Sequence, residues 1–296
     1  MPLLMIFSTV GFMFGTGGSA LVAKTLGEGD KEKANRYFSL FVYVCAALGT
    51  VFTVIGMFIA PPVAEALGAE GQMLHDAVLY SRIILAALPF GVLQLLFQSF
   101  MITAEKPMLG LWVTVSSGVT NMVMDAVLVT LLPQEWKLTG AAIATALSQT
   151  VGGAIPLVYF SRKNSSTLHL GKTHYDGKAV FKACINGSSE FMSNISMSVV
   201  AMLYNLQLMK YAGENGIAAY GVMMYVSMIF SAVFIGYSIG TAPVVGFHDG
   251  AQNHQELHGL LHKSLVLIGT FGSSSPRRSA APSASAGETR WRSSRP

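Results

Sequence analysis

Charge is scarce in this chain. Of its 296 residues only 11% are Asp, Glu, Lys or Arg, where soluble domains carry about a quarter. Hydrophobic residues make up 52% and the mean hydropathy is +0.51. This balance excludes an ordinary soluble domain and reads as an integral membrane protein. Cysteine is almost absent. Cys45 and Cys184 are the only two, both in apolar stretches and without CxxC or metal-site spacing. A disulfide framework and a cysteine zinc site are thereby excluded, and the two read as small buried hydrophobes. HExxH, a Walker loop and a nucleophile elbow are all missing, so no enzymatic activity, catalytic residue or cofactor is expected. Gly15-Thr16-Gly17-Gly18-Ser19-Ala20 looks like a dinucleotide loop but follows no strand. No basic n-region precedes the first apolar run, so no cleavable signal peptide is expected. The net charge of +4 is no argument for nucleic acid, since five of the 19 Lys and Arg sit in the C-terminal tail.

What the chain does have is apolar runs of membrane-crossing length, about 20 residues each. The pattern predicts an all-α polytopic bundle of about seven transmembrane helices. Span a covers Pro2–Ala23, and a charged loop, Lys24 to Arg36, follows it. Span b lies between Arg36 and Glu65 and is expected to close at Pro61-Pro62. Span c lies between Arg82 and Glu105, with a kink expected at Pro89. Span d holds Asn121 and Asp125. After a polar turn, Pro133 to Lys137, span e runs from Leu138 to Ser161. A basic linker covers 162–182. Span f covers Ala183–Met209, and span g lies between Glu214 and Asp249. A polar stretch with His248, His254, His258 and His262 leads to a last apolar piece, Ser264–Phe271. The domain division expected is an N-terminal lobe over 1–161, the linker, a partial C-terminal lobe over 183–271 and a disordered basic tail over 272–296. Rich in Ser, Arg, Ala and Pro, the tail breaks an apolar span early and reads as out of frame or otherwise truncated.

With span a pointing inward, alternate loops hold 11 basic residues on one side and 3 on the other. The positive-inside rule puts Lys24–Arg36 and Arg162–Lys182 in the cytoplasm. Gly18-Ser19-Ala20-Leu21-Val22 is similar to Gly240-Thr241-Ala242-Pro243-Val244, and each leads to a Gly-Asp or Asp-Gly pair. Six spans separate the two copies, which gives a parallel repeat of six-helix units, as in many transporters.

Two acids fall inside spans. Asp125 interrupts an otherwise uncharged run between Lys106 and Glu135. A carboxylate there costs about 2.5–3.5 kcal/mol on insertion scales. Asn121 lies one turn earlier on the same face. The pair is either a hard-oxygen half-site for Na⁺, a hydrogen-bonded proton carrier, or a satisfied polar pair joining two helices. Glu190, the second acid, either binds a coupling ion, attracts a cationic drug, or snorkels to water from the inner end of span f. His254, His258 and His262 recur at i, i+4 spacing, yet no carboxylate or cysteine completes a metal set, so a solvated amphipathic stretch is expected. Sixteen Met and seventeen Phe suit a promiscuous apolar cavity.

Several of these stretches, in order, resemble motifs of the MATE (multidrug and toxic compound extrusion) exporters. Gly15 to Ala34 is similar to the second-helix motif. Asn121-Met122-Val123-Met124-Asp125 followed by Gly140-Ala141-Ala142-Ile143-Ala144-Thr145 resembles helices five and six. Pro243 to Ala251 resembles the end of helix eight, and Asn186-Gly187-Ser188-Ser189-Glu190 resembles the MepA-like drug-exporter subgroup. The resemblance covers about residues 1–270. It implies that spans a–g are helices two to eight of a twelve-helix fold, in which two lobes form a V around a drug cavity. It further implies a multidrug efflux transporter in a bacterial plasma membrane, a cation/drug antiporter driven by H⁺ or Na⁺ and acting as a monomer. Its partners would be the bilayer and amphiphilic, often cationic drugs. Asn121, Asp125 and Thr145 would form the N-lobe cation site, and Glu190 a second cation or drug site. Helices one and nine to twelve have no counterpart, so this polypeptide alone is expected to insert but not to export.

Two other classes were weighed. A membrane-embedded enzyme needs a nucleophile–base pair or paired aspartates in its spans, and none is seen. A lipid-linked sugar flippase needs Arg and Lys in its cavity for phosphate. Here, Arg82 aside, the spans carry two acids and no cation.

Overall fold

The computed structural model describes residues 2–66 and 71–274; the tail lies outside them. Among the described residues there is no strand. The elements are α1 (Pro2–Gly27), α2 (Lys31–Ala66), α3 (Gly71–Thr103), α4 (Pro107–Leu131), a 3-10 turn at Gln134–Trp136, α5 (Lys137–Ser161), α6 (Gly177–Gly250) and α7 (His254–Ser274). Four of them, α2 to α5, are long and apolar enough to cross a membrane among the described residues. Apolar runs become helices because a bilayer core offers no water, and a helix satisfies its own backbone groups. The protein is an all-α, multi-pass membrane protein.

Several boundaries differ from those the sequence suggests. Pro61-Pro62 does not close α2, which runs on to Ala66. Each proline removes only its own bond to the residue four back, and the helix continues past both. α3 starts at Gly71, well before Arg82. The linker is shorter than 162–182, because Asp176 caps α6: its Oδ1 accepts from the backbone N–H groups of Lys178 and Ala179, at 3.0 and 3.2 Å. Compactness does not divide the chain at the linker either. Among the described residues, those up to His254 fall in one compact unit and α7 from Gln255 on falls in another. Within α7 the histidine stretch and the last apolar piece join into one helix.

Spans f and g fall in a single helical stretch, α6. That stretch turns back on itself. Its Ala183 and its Phe247 both lie against α1, at Gly17 and Gly27. Ten helical residues of α1 span about 15 Å, whereas a straight helix from 183 to 247 would span about 96 Å. Tyr204 also stacks on Tyr220, with ring centroids 5.3 Å apart, so the reversal lies between them. The two arms therefore occupy the places of spans f and g. The first runs antiparallel to α1, pairing Met13 with Gly187. The second runs parallel, pairing Ala20 with Gly246 and Lys24 with Gly250. The second repeat copy thus lies along α1 one turn out of register with the first. A methyl group on Gly187 would collide with the carbonyl of Met13, and one on Gly250 with that of Lys24, so only glycine permits this approach.

α3 is the hub and touches α1, α2, α4, α5 and α6. Pro89 lies inside it and cannot bond to the carbonyl of Leu85. The Thr53 hydroxyl of α2 donates to that carbonyl instead, at 2.7 Å. An aromatic cluster ties α2, α3 and α5 at the loop end: Phe38 meets Phe100 and Phe160 at 5.0 Å each, and Phe97 meets Phe160 at 5.7 Å. All four are fully buried or nearly so.

Candidate functional site

Asp125 sits on α4, a helix whose outer face is strongly exposed: Met122 and Leu131 are 72% and 77% accessible. Asp125 itself is half-buried, and its Oδ1 is buried without a hydrogen-bond partner. Asn121 is half-buried one turn away. No hydrogen bond joins the side chains of Asn121, Asp125 and Thr145.

Two rungs fix the register of α4 against antiparallel α5. The Ser117 hydroxyl donates to the Ser148 carbonyl at 2.9 Å, and Leu128 abuts Gly140. Between these rungs Thr145 is level with Asn121, and Ala141 to Ala142 with Asp125. The Thr145 hydroxyl donates to the carbonyl of Ala141 at 3.0 Å. Its oxygen keeps free lone pairs at the height of Asn121, one turn from the carboxylate. Tyr80 of α3, half-buried, lies within electrostatic reach of Asp125. Sequence reasoning missed Tyr80, since nothing local links positions 80 and 125.

A second polar group lies two turns earlier on α4. Gln94 Nε2 donates to Ser117 Oγ at 3.2 Å, and Ser117 Oγ is 3.0 Å from Ser148 Oγ. Gln149 lies against Gly91, its Oε1 buried without a partner. Ser117, Asn121 and Asp125 thus form a polar track at i, i+4, i+8 spacing down one apolar helix. That spacing was available as a signal in the sequence.

Glu190 is half-buried and lines a cavity of about 190 Å³ between α1, α3 and both arms of α6. Its carboxylate makes no hydrogen bond or ion pair among the described residues. Hydroxyl groups dominate the remaining lining, among them Thr16, Ser19, Ser99, Ser189 and Ser238. Ser99 is 2% exposed, and its Oγ has no partner. This set offers hard oxygen donors around one carboxylate, the chemistry that suits a small cation. Drug-sized ligands need roughly 300–1,000 Å³, more than this cavity holds. Glu190 and Asp125 lie in separate sites.

At the loop end, Lys24 Nζ donates to Asp249 Oδ2 at 2.6 Å and closes the α1–α6 seam. The hydrogen bond, then the Coulomb attraction, raises the Lys24 ammonium above its ordinary value and holds the Asp249 carboxyl below its own. His254, His258 and His262 fall on α7. No group of three or more His, Cys, Asp or Glu able to hold a metal ion occurs among the described residues.

Comparison with known proteins agrees with this geometry. The chain is 27% identical over 249 residues to the multidrug export protein MepA of Staphylococcus haemolyticus, covering 84% of this chain and 54% of that one. It is 25% identical over 275 residues to MepA of Staphylococcus aureus, covering 92% and 59%. It thus spans little more than half the length of these relatives. An outward-facing multidrug resistance MATE family transporter superposes with a TM-score of 0.82 at 21% identity, over 91% of this chain and 60% of that one. A MATE transporter in complex with MaL6 gives 0.85 at 20% identity, over 91% and 60%. The likeness to these structures is one of fold. The MatE family profile matches residues 1–127 and 191–273, well over half the chain, and with the helix order and packing above the chain belongs to the MatE family.

Proposed function

We propose that these residues serve a multidrug exporter of the cell membrane driven by the entry of H⁺ or Na⁺. Asp125 carries the coupling ion, and Asn121, Thr145 and Tyr80 surround it. One observation carries this reading: a carboxylate oxygen of Asp125 is buried in an apolar helix with no hydrogen-bond partner. Leaving a buried charged group unsatisfied costs about 1–3 kcal/mol or more, and a bound proton or Na⁺ would remove that cost. Glu190 serves a second small-cation site, since its cavity of about 190 Å³ is too small for a drug. The cargo is amphiphilic and often cationic, because the spans hold two acids and, Arg82 aside, no cation. The basic end, with the loop after α1 and the linker before α6, faces the cytoplasm.

The test uses an efflux-competent chain carrying these residues. Asp125→Asn is expected to reduce energy-dependent ethidium efflux to the empty-vector level while the protein stays in the membrane. Asn121→Ala and Thr145→Ala remove neutral oxygens and should each weaken coupling less. Efflux at the unsubstituted rate in the Asp125→Asn chain sinks the assignment. Glu190→Gln is expected to impair export of cationic and neutral substrates alike; selective loss of cationic export would make it a drug-binding residue instead.

A further inference from the structure

The linker before α6 is not a free tether. Leu168 is fully buried, and the stretch of chain around it is tied to the first turns of α2. The His169 N–H donates to Asn35 Oδ1 at 2.8 Å and the Gly171 N–H to Ser39 Oγ at 3.0 Å. The Thr173 hydroxyl donates to the Arg36 carbonyl at 3.0 Å. These bonds hold open a cleft of about 690 Å³ between linker and helix. Lys31, Arg36 and Lys172 line it with His169 and the hydroxyls of Ser165 and Ser166; Glu32 is its one acid. None of the three strong cations makes an ion pair among the described residues. The cleft therefore holds a net positive charge in a fixed frame, beside the Ser165 hydroxyl and that of Ser166, which itself donates to the Ala104 carbonyl at 3.2 Å.

Its surroundings indicate which anion it takes. A second cleft shares Gly171 and Lys172 and extends to Tyr43 and His174. Tyr43 is 49% exposed, and beyond it α2 presents Val51, Val54 and Phe58 at 48%, 51% and 78%. A cationic, hydroxyl-lined cleft thus opens onto an apolar helix face at the level where a helix enters the bilayer. A phosphate group fits the cleft, and the hydrocarbon chains attached to a lipid phosphate fit the helix face. Basic clusters of this kind attract anionic headgroups. We propose that the cleft between the start of α2 and the linker, formed by Lys31, Arg36 and Lys172, is a binding site for the phosphate headgroup of an anionic membrane phospholipid.

Native mass spectrometry of the full chain with phosphatidylglycerol or phosphatidylcholine tests this. The chain is expected to retain phosphatidylglycerol preferentially. Lys172→Gln, at an exposed linker position, should weaken that retention about fivefold. Arg36→Gln with Lys172→Gln should weaken it more than tenfold, and the Arg36→Lys, Lys172→Arg pair should restore it. Lys137→Gln, far along the chain, should change nothing. Equal retention by the unsubstituted chain and the double Gln variant overturns the site. If inorganic phosphate competes as effectively as the lipid, the cleft binds free phosphate and the lipid assignment is overturned.

Discussion

α3 and α4 are neighbours in sequence and both have membrane-span composition, yet they meet different surroundings. In α3, 61% of the most apolar stretch is buried by protein; in α4, 11% is. α3 touches five other helices, while α4 packs chiefly on α5 and leaves Met122 and Leu131 exposed. Of the four membrane-length helices α2 to α5, the acid sits on the one that protein covers least. Hydropathy does not separate the two cases, because lipid is as apolar as leucine and a lipid-facing stripe reads like a core stripe. Polar residues are the better guide. On α4 Ser117 is buried against α3 and α5, and Asn121 and Asp125 are half-buried on the same face, which marks the candidate site.

The contrast can be broken most sharply with glycine. A Cβ on Gly153 of α5 would collide with the Phe90 carbonyl of α3, whereas one on Gly118 of α4 meets nothing within 4 Å. Gly153→Leu should therefore be severe, at or beyond the usual overpacking cost of about 1–3 kcal/mol, with a clear fall in the thermal midpoint in detergent. Gly118→Leu should leave that midpoint nearly unchanged. Equal effects would mean that α4 is covered as α3 is. A smaller effect is expected at the α2–α3 contact. Thr53→Val should cost about 0.6 kcal/mol, the typical value for a hydrogen bond between membrane helices. In a Pro89→Ala background the new backbone N–H can bond to the Leu85 carbonyl itself, and the same change should cost less. An undiminished cost would show that the Thr53 bond does not compensate the proline.

The smallest effect concerns Lys24 and Asp249, which are 37% and 47% exposed. Asp249 is held below its ordinary value, so its contribution is present above the ordinary carboxylate range and is lost as pH falls through the lowered value. Lys24 is raised, so its contribution is present below the ordinary lysine range and is lost as pH rises through the raised value. The pair should hold the α1–α6 seam unchanged across neutral pH. Hydrogen exchange at residues 20–27 is expected to be flat from about pH 5 to 9 and to quicken only beyond those limits, after correction for intrinsic rates. A step near neutrality would assign control of the seam to a histidine.

Much of this protein is legible without a structure. The helices, the membrane setting and the two candidate acids follow from local quantities: the length of an apolar run and the cost of placing a carboxylate inside one. Helix ends were less legible. Asp176 as a cap was readable in principle, but Pro61-Pro62 was misleading, since a proline removes its own backbone bond without having to end the helix. What only the tertiary structure decided depends on pairs far apart in the chain. Lys24 meets Asp249 across 225 residues, Tyr80 approaches Asp125, and the linker folds onto α2 to make a cleft. α6 turns back so that both arms lie on α1, with glycine at each close contact. No run of sequence encodes these pairings. They follow from which small residues let backbones approach and which polar groups need a partner in a medium that offers no water.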